Sequence, residues 1–277
     1  MISIITINFN NAEGLDKTIQ SVLSQTYGEI EYIIIDGGSH DGSREVIEKN
    51  VNKISHWVSE QDKGIYHAMN KGIALATKEY LLFLNSGDCL HNTSIIEAIL
   101  PKLKMGKDLY YGDLKWIVNT NDFVVKYPKK LSLSFIYKNS LPHPATFIKR
   151  KLFYKISLYN ENLTLVSDWE FFMRAILKYD VSYQHLEMII ADFDGYGLSN
   201  TLEQKKVIDT ERALVMKTFF PELTDDVNKL EFYNKIIKNN RFKILAVLEE
   251  SKLTQKLNSL WLRFLLLIIK GKKVKDL

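Results

Sequence analysis

Four polar side chains follow apolar, β-branched segments in the first ninety residues. Asn8 ends "ISIITIN", Asp36 ends "EYIIID", Glu60 follows "ISHWVS", and Asp88 follows "YLLFLNSG". A turn residue is the simplest explanation for each of them taken alone. Three carboxylates in one crevice would repel one another, however, and a cation or a donor-rich ligand among them would relieve that repulsion. One or two carboxylates commonly hold Mg²⁺ or Mn²⁺, with substrate phosphates and water completing the coordination.

The segments around these residues alternate between strand and helix patterns. "ISIITINF", "EYIIID", "ISHWVSE" and "YLLFLN" read as strands, and amphipathic segments lie between them. Asn10 or Asn11 is expected to cap the first helix and Ser43 the second. Continuous apolar strands separated by helices predict βαβ units and a parallel sheet that is covered on both faces. Because ligands bind outside the carboxyl ends of such strands, we expect the four polar side chains to meet in one crevice.

Composition restricts the class of protein further. The chain has 277 residues, of which 46% are hydrophobic, so it can form one large domain or one domain with an appendage. A net charge of +4 gives no reason to expect nucleic-acid binding. The single cysteine, Cys89, excludes an intramolecular disulfide and indicates a reducing compartment. The first residues read as a strand and not as a signal peptide, and no stretch approaches the roughly 20 apolar residues of a membrane span. These features predict a cytoplasmic protein.

Beyond residue 105 the pattern changes. "DLYYGDLKW", "DFVVKYP" and "VSYQHLEMIIADFDGYG" read as strands with hairpin-like spacing, and helices are predicted near residues 150–156 and 168–178. We expect a mixed continuation of the same sheet. From Leu202 onward the chain reads as helices.

The glycine-rich run "IDGGSHDGS" is not a known phosphate-binding loop. The chain has neither G-x-G-x-x-G opening a helix nor G-x-x-x-x-G-K-[ST]. What remains is Asp36, which can accept hydrogen bonds from a base or ribose, beside two glycines that permit close approach to the backbone. Similarly, "SEQDKGIYHAMNKGI" places Asp62 and Lys63 just before a helix, where a carboxylate is favourable with or without a ligand.

Four motifs in the same order resemble glycosyltransferase family 2. They are "SIITINFNN", "IIDGGSHDGS", "SEQDKGIYHAMNKGI" and "FLNSGD", and together they cover residues 1–90. The resemblance implies an α/β protein of the GT-A fold, with a Rossmann-like, mostly parallel central sheet flanked by helices. It implies inverting transfer from a nucleotide-sugar donor and a divalent metal, Mn or Mg. The implied nucleotide-binding residues are Thr6, Asn8, Asp36, Asp62, Lys63 and Ser86.

"NSGD" occupies the place of the family's DxD motif, whose last aspartate coordinates the metal on the donor diphosphate. By this resemblance Asp88 is the metal ligand. Asn85 and Gly87 stand where many relatives carry aspartates. We therefore expect weak metal binding in the absence of the nucleotide.

The second half of the chain should supply the catalytic base. In "LVSDWEFFMRAI" an apolar stripe that includes Trp169 and Phe172 places Asp168 in the first turn of a helix. A helix cap is the alternative explanation for this aspartate. The segment resembles the family's "EDxE" segment, which implies that Asp168 is the base, with Glu170 as the substitute candidate.

Other motifs of this half suggest acceptor-side or diphosphate-side residues. "NSLPHPATF" resembles the family's "HQATF" run, which implies that His143 lies beside the donor diphosphate or the acceptor, as Trp169 and Glu170 also would. "FDGYGLSN" resembles a loop near the acceptor side and receives no catalytic role. The Q-x-x-R-W motif and the membrane spans of processive relatives are not found in the sequence, so one sugar per visit is expected.

The carboxyl-terminal segment "LWLRFLLLIIKGKKVK" permits two interpretations. It can be a helix packed on the domain or on a partner, or an anchor on an anionic membrane surface through residues 256–275. The second interpretation rests on Trp261 and on a set of basic residues: Lys256, Arg263, Lys270, Lys272, Lys273 and Lys275. A lipid-linked acceptor would explain such an anchor.

Together these observations predict a GT-A catalytic domain at residues 1–200, with a nucleotide-binding half (1–105) and an acceptor half (106–200). Residues 201–277 are predicted to form a helical extension. The predicted activity is transfer of a single sugar, from a UDP-sugar, to a glycan or lipid-linked acceptor in cell-surface polysaccharide synthesis. Two alternatives remain open at this point: a sugar-phosphate nucleotidyltransferase and a degenerate, non-catalytic nucleotide-sugar-binding protein. The sequence specifies neither the sugar, the acceptor, nor the oligomeric state.

Overall fold

A computed structural model describes residues 1–118, 122–195 and 202–270. The strands within these residues are β1 (Ile2–Asn8), β2 (Glu31–Asp36), β3 (His56–Ser59), β4 (Tyr80–Phe83), β5 (Cys89–Leu90), β6 (Leu109–Ile117), β7 (Phe123–Val125), β8 (Thr146–Lys149) and β9 (Tyr183–Asp194). The α-helices within them are α1 (Ala12–Leu23), α2 (Ser43–Lys49), α3 (Ile65–Leu75), α4 (Ile95–Leu103), α5 (Leu133–Lys138), α6 (Lys151–Lys155), α7 (Ser167–Leu177), α8 (Leu202–Phe219), α9 (Pro221–Lys238), α10 (Asn240–Leu248) and α11 (Lys252–Lys270). Across the described residues the strands form one sheet in the order β3-β2-β1-β4-β8-β6-β9-β5, with β7 paired to β6.

The amino-terminal half of the sheet is parallel, as predicted. Strands β3, β2, β1 and β4 pair side by side in parallel, and every residue of β1, β2 and β4 is buried. The pairing register places Asn8 opposite Asp36, and Asp36 opposite Ser59. Because the strands run in the same direction, their carboxyl ends form one edge of the sheet.

The helix starts agree with the sequence at α1 and differ at α2. Asn11 caps α1 by accepting a hydrogen bond from the backbone N–H of Gly14 (3.1 Å). The prediction that Ser43 caps α2 is wrong, because Ser43 is already the first helical residue. Gly42 takes the capping position with φ +96°, a left-handed conformation that favours glycine, and the Ser43 hydroxyl donates to Asp41 (2.6 Å) instead.

The second half continues the same sheet with mixed pairing, which confirms the prediction. β8 pairs antiparallel with β4 and β6, while β6 and β9 are parallel with an irregularity near Asp113. The sequence reading missed β5 and β8. β5 has only two residues and pairs with β9 a hundred residues later, so no local pattern marks it as a strand.

The chain divides into two compact units, Met1–Val215 and Met216–Leu277, with the division inside α8. The first part of α8 therefore belongs to the sheet-containing unit. There Glu211 accepts hydrogen bonds from the backbone N–H groups of Thr164 (2.6 Å) and Leu165 (3.0 Å). The second unit contains α9, α10 and α11. None of the described helices is both long and apolar enough to span a bilayer.

Candidate active site at the carboxyl ends of the strands

Asp36 joins the ends of three neighbouring strands. Its carboxylate is fully buried and accepts hydrogen bonds from Asn8 Nδ2 (2.7 Å), Ser59 Oγ (2.7 Å), and both the backbone N–H (3.0 Å) and the hydroxyl (2.5 Å) of Ser39. Burial raises the pKa of Asp36, but the hydrogen bonds from Ser39, Ser59 and Asn8 outweigh it and bring the pKa below its usual value. Asp36 is therefore ionised, and its hydrogen bonds link the ends of β1, β2 and β3.

Of three further residues predicted to bind the nucleotide, Asn8 and Ser86 lie at or just beyond strand ends, and Thr6 lies inside β1. Asn8 is 5% exposed, and its Oδ1 has no hydrogen-bond partner within the described residues. Thr6 is fully buried, and its hydroxyl is hydrogen-bonded to Tyr32 (3.0 Å). The backbone of Ser86 is held by the carbonyl of Ile7 (3.1 Å) and by Asn11 Nδ2 (3.2 Å). Among these groups, the Asn8 amide oxygen is the buried acceptor without a hydrogen-bond partner in the described part of the chain.

Asp62 lies in the loop before α3. Its Oδ1 contacts Lys71 Nζ (2.6 Å) and His67 Nδ1 (2.9 Å), while its Oδ2 is buried and has no hydrogen-bond partner among the described atoms. A Cβ built on Gly37 would lie 3.5 Å from that Oδ2, so the glycine leaves space beside the carboxylate. Lys63, the next residue, is exposed.

Asp88 is 4% exposed and faces a second carboxylate, which the sequence reading did not identify. Asp88 Oδ1 accepts a hydrogen bond from the backbone N–H of Asp194 (3.1 Å). A Cβ on Gly87, whose φ is +106°, would lie 3.1 Å from Asp194 Oδ2. Burial and the negative charge of Asp194 together raise the pKa of Asp88 to about 8, although the backbone hydrogen bond opposes this shift.

The two aspartates fit the chemistry of a hard divalent cation. Both supply carboxylate oxygens, and Gly87, in a conformation that other residues rarely adopt, lets the backbone approach the Asp194 carboxylate closely. Within residues 1–118, 122–195 and 202–270, no group of three or more His, Cys, Asp or Glu side chains is arranged to hold a metal by itself. Mg²⁺ is commonly bound by one or two carboxylates, with substrate phosphates and water as its other ligands.

Asp168 is the second residue of α7, as the sequence predicted. The helix begins at Ser167 with Val166 at the capping position, so Asp168 does not serve as the cap. Its Oδ1 accepts a hydrogen bond from the Tyr66 hydroxyl (2.9 Å), and its Oδ2 accepts one from the Ser140 hydroxyl (3.2 Å). Tyr66 is in the first turn of α3, directly after the loop that carries Asp62 and Lys63.

The structure buries the two residues that follow Asp168. Trp169 is 1% exposed, and its indole N–H donates to the carbonyl of Ile136 (2.8 Å). Glu170 is also 1% exposed and pairs with Arg174 (2.9 Å), and burial raises the pKa of Glu170. Only Asp168 of this trio is half-buried, so only its carboxylate combines partial exposure with side-chain donors from other elements.

His143 lies in an aromatic cluster. Its ring stacks on Phe83 (centroids 4.7 Å apart, 13° between planes), and its Nε2 lies 2.8 Å from the hydroxyl of Tyr159. Burial lowers the pKa of His143, although the negative charge of Asp168 opposes that shift. Burial therefore favours the neutral form of this imidazole.

Arg212, on α8, was also missed by the sequence reading. Its guanidinium lies 4.8 Å from the centroid of the Trp169 ring and donates to the carbonyl of Lys138 (3.1 Å). Nothing near residue 212 in the sequence marks it as part of a site.

Tyr66 and Asp194 lie in two quoted motifs, "DKGIY" and "FDGYG". Only the fold shows that Tyr66 contacts the carboxylate of Asp168 and that Asp194 contacts that of Asp88. Residues 196–200 of "FDGYGLSN" lie outside the described residues.

Comparison with known proteins identifies the family. The model of the family described as "Glycosyl transferase family 2" matches residues 3–178. The chain belongs to glycosyl transferase family 2. This membership confirms the resemblance of the motifs and makes the protein a glycosyltransferase.

Similar family 2 proteins include several from mycobacteria. An uncharacterized glycosyltransferase of Mycobacterium tuberculosis (strain H37Rv) is 32% identical over 218 residues, covering 77% of this chain and 82% of the relative. A PGL/p-HBAD biosynthesis glycosyltransferase of Mycobacterium bovis is 29% identical over 215 residues, covering 75% of this chain and 82% of the relative. A cholesterol galactosyltransferase of Borreliella burgdorferi is 26% identical over 268 residues, covering 91% of this chain but 65% of the relative.

The fold is shared with TarS of Staphylococcus aureus, residues 1–349. Its complex with UDP-GlcNAc superposes with a TM-score of 0.63 at 18% identity, over 78% of this chain and 66% of TarS 1–349. The complex of TarS 1–349 with UDP superposes with a TM-score of 0.64 at 18% identity, over 95% of this chain and 78% of TarS 1–349. This glycosyltransferase therefore has the predicted α/β architecture of GT-A type, with helices flanking a mostly parallel, curled sheet.

Proposed function

We propose that this family 2 member is a metal-dependent, inverting glycosyltransferase that moves one sugar from a UDP-sugar to a glycan or lipid-linked acceptor in cell-surface polysaccharide synthesis. One observation carries the proposal. The donor-side residues end parallel strands at one edge of the sheet, and Tyr66, just after the Asp62 loop, hydrogen-bonds the Asp168 carboxylate. This hydrogen bond supports a single site that contains both the donor-side residues and the half-buried Asp168 carboxylate.

The choice of donor and acceptor is supported by the relatives. TarS 1–349 has been solved with UDP and with UDP-GlcNAc, and a mannosyltransferase of the same fold from Pyrobaculum calidifontis, PcManGT (TM-score 0.53, 12% identity), with GDP-Man and Mn²⁺. Relatives named for PGL/p-HBAD biosynthesis and for cholesterol support a glycan or lipid acceptor. We assign UDP as the nucleotide on this basis.

On the donor side, the buried acceptor atoms without protein partners, Asn8 Oδ1 and Asp62 Oδ2, are the groups that would receive hydrogen bonds from the nucleotide. Asp36 would act by holding Asn8 and Ser39 in place, since its own oxygens are already occupied. Lys63 and Ser86 would lie beside the nucleotide, and Thr6 would support the site from within the sheet through its hydrogen bond with Tyr32.

Asp88 would hold the divalent metal, Mn or Mg, with Asp194 as the neighbouring carboxylate. Such a cation, when bound with the donor, neutralises charge on the departing diphosphate. The protein's own contribution is to place two carboxylates beside a glycine turn and to leave the remaining coordination positions to phosphate oxygens and water.

Asp168 would act as the general base. The acceptor hydroxyl gives its proton to Asp168 while its oxygen bonds to the anomeric carbon. The bond from that carbon to the diphosphate oxygen breaks, and the electron pair leaves with UDP. Attack opposite the leaving group inverts the configuration. A positioned base of this kind contributes roughly 10²–10⁴-fold to a rate. Among the candidates at the start of α7, Asp168 is the one whose carboxylate is not enclosed in the core.

Helix α11 is proposed to bind an anionic membrane surface. Large apolar side chains are exposed along it, and it carries basic residues but no acidic ones. The exposed apolar residues among the described side chains of α11 are Leu253, Leu257, Leu260, Trp261, Leu262, Phe264, Leu265 and Ile268, and all of them except Leu262 and Leu265 share one face of the helix. An apolar face bordered by positive charge complements the boundary between lipid headgroups and acyl chains. Residues 271–275 of the predicted anchor lie outside the described part of the chain.

The proposal is tested by incubating the protein with a panel of UDP- and GDP-sugars, with and without Mn²⁺, and measuring release of the nucleoside diphosphate. We expect Mn²⁺-dependent release of UDP from one UDP-sugar, and loss of that release in Asp168→Asn. Release of pyrophosphate from UTP with a sugar phosphate would indicate a nucleotidyltransferase instead. UDP-sugar binding without turnover under every condition would indicate a non-catalytic binding protein.

A further inference from the structure

The Asp168 carboxylate is held by two hydroxyl groups from different elements. Tyr66 Oη, from α3, lies 2.9 Å from Oδ1, and Ser140 Oγ, from the loop after α5, lies 3.2 Å from Oδ2. The carboxylate is separated by 102 residues from Tyr66 and by 28 from Ser140. Since each carboxylate oxygen has two lone pairs, both oxygens can still accept a hydrogen bond from a substrate.

Tyr66 itself is rigidly placed. It is 5% exposed, and its ring packs against Tyr159 with centroids 5.7 Å apart. One turn further along α3, the Asn70 side chain bonds both backbone groups of Tyr159. Burial and the charge of Asp168 raise the pKa of Tyr66 well above its ordinary value, so the hydroxyl keeps its proton and acts as the donor.

We infer that Tyr66 is a positioning residue for the base: its hydroxyl orients the Asp168 carboxylate toward the acceptor and ties it to the helix that follows the donor loop. The inference rests on the proposed role of Asp168 as the base. Asp62 and Lys63 precede Tyr66 by only four and three residues, so the hydrogen bond spans the donor and acceptor halves of the site. Pre-organisation of this kind matters because small misplacements of a reacting group are costly in rate.

The other titratable and charged groups that face Asp168 are Tyr159, His143 and Arg212. Burial raises the pKa of Tyr159 well above its ordinary value and lowers that of His143, so it favours the uncharged form of both side chains. Arg212 is the positive charge among these groups, and its side chain is anchored on Trp169 and on the carbonyl of Lys138. Removing the Tyr66 hydroxyl leaves all three in place, so its effect can be measured separately.

The test is Tyr66→Phe, which keeps the ring and removes only the hydroxyl. With water as the acceptor and UDP-GlcNAc or UDP-galactose as the donor, we expect kcat to fall about 10- to 100-fold while the UDP dissociation constant changes less than about twofold. Tyr80→Phe is the matched control, since Tyr80 is a buried tyrosine on β4 whose hydroxyl donates to the carbonyl of Lys107 (2.7 Å).

A second readout does not depend on turnover. In protein labelled with ¹³C at the aspartate carboxyl groups, the resonance that Asp168→Asn removes should change its chemical shift in Tyr66→Phe and not in Tyr80→Phe, because only Tyr66→Phe removes a hydrogen bond to that carboxylate. An unchanged Asp168 resonance and an unchanged kcat in Tyr66→Phe would overturn the inference, as would a loss of UDP binding that parallels the loss of rate. Near-normal turnover in Asp168→Asn would instead refute the proposed base, which is a separate failure.

Discussion

Asn70 and Tyr159 are joined by two hydrogen bonds in opposite directions: Asn70 Nδ2 donates to the Tyr159 carbonyl (2.9 Å), and Asn70 Oδ1 accepts from the Tyr159 backbone N–H (3.0 Å). The same Nδ2 also donates to Glu161 (2.8 Å). One side chain of α3 thus forms hydrogen bonds with both backbone groups of Tyr159, in the loop that precedes α7 and lies 89 residues later in the chain. Since α3 carries Tyr66 and α7 carries Asp168, this pair fixes the distance across the site.

Replacing Asn70 with alanine should destabilise the protein and slow turnover together. Asn70 is 7% exposed, so the substitution leaves two buried backbone groups of Tyr159 without partners. We expect a loss of about 2–3 kcal/mol in the free energy of unfolding, measured by urea denaturation. Asn139→Ala, which removes an exposed hydrogen bond to the carbonyl of Phe135, is the control and should change little. Equal urea midpoints for the two variants would contradict this role.

The hydrogen bonds that the Asp36 carboxylate accepts should make a pH-dependent contribution to the free energy of unfolding. The folded-state pKa of Asp36 lies below its ordinary value, so its contribution is fully present above about pH 4 and is lost as the pH falls through the folded-state pKa. Asp36→Asn should therefore lower the free energy of unfolding by about 2–3 kcal/mol at pH 7, with the gap to the wild type narrowing below about pH 4.

Urea titrations at pH 7, 5 and 3 measure this gap. Asp16→Asn, an exposed residue of α1, should stay within about 0.5 kcal/mol of the wild type throughout. A gap for Asp36→Asn that is constant from pH 7 to pH 3 would show that its ionisation contributes nothing.

The two aspartates beside Gly87 should both affect metal-dependent binding of UDP. Isothermal titration calorimetry of UDP with and without Mn²⁺ should show a metal-dependent gain in affinity in the wild type. Asp88→Asn should abolish this gain, and Asp194→Asn should reduce it about tenfold or more. Asp192→Asn, two residues earlier on β9 and already paired with His91 (2.6 Å), should leave it unchanged. If Asp194→Asn kept the full Mn²⁺-dependent gain in UDP affinity, Asp194 would not be a metal ligand, and Asp88 alone would remain as the proposed one.

Substitutions of Asp168 and Glu170, the two carboxylates at the start of α7, should have different effects, on turnover for Asp168 and on stability for Glu170. Asp168→Asn should reduce UDP release by at least about 10²-fold while UDP affinity stays within about twofold, because the base acts only in the chemical step. Glu170→Gln should mainly lower the melting temperature, since it weakens the buried pair with Arg174. Measuring kcat per folded molecule for both variants distinguishes the base. If Glu170→Gln lost the larger part of kcat, the assignments would have to be exchanged.

Binding of α11 to anionic lipid should depend on its basic residues. We expect the intact chain to float with phosphatidylcholine vesicles that contain phosphatidylglycerol, and not with vesicles of phosphatidylcholine alone. The double substitution Lys256→Glu/Arg263→Glu should weaken binding about 30-fold or more, from about 1 kcal/mol per basic residue. Lys102→Glu/Lys104→Glu, an equal charge change on exposed residues of the first unit, is the control. Equal flotation of the two double variants would refute a membrane contact through α11.

The sequence was sufficient for the parallel half of the fold and for the donor edge. Strand and helix periodicity are local properties, and parallel strands necessarily bring their carboxyl ends to one edge. The positions of Asn8, Asp36 and Asp88 at this edge therefore followed from the pattern alone. The same kind of reasoning placed Asp168 in the first turn of α7, because the apolar stripe determines where that helix begins.

Only the tertiary structure decided which side chains meet. Asp194 is 106 residues from Asp88, and Tyr66 is 102 residues from Asp168, so no local pattern relates either pair. The burial of Trp169 and Glu170 likewise depends on how α7 packs, which periodicity does not specify. The physical reason is that hydrophobic patterning specifies which face of each element is buried. The distances between distant polar groups are determined only when the elements pack together.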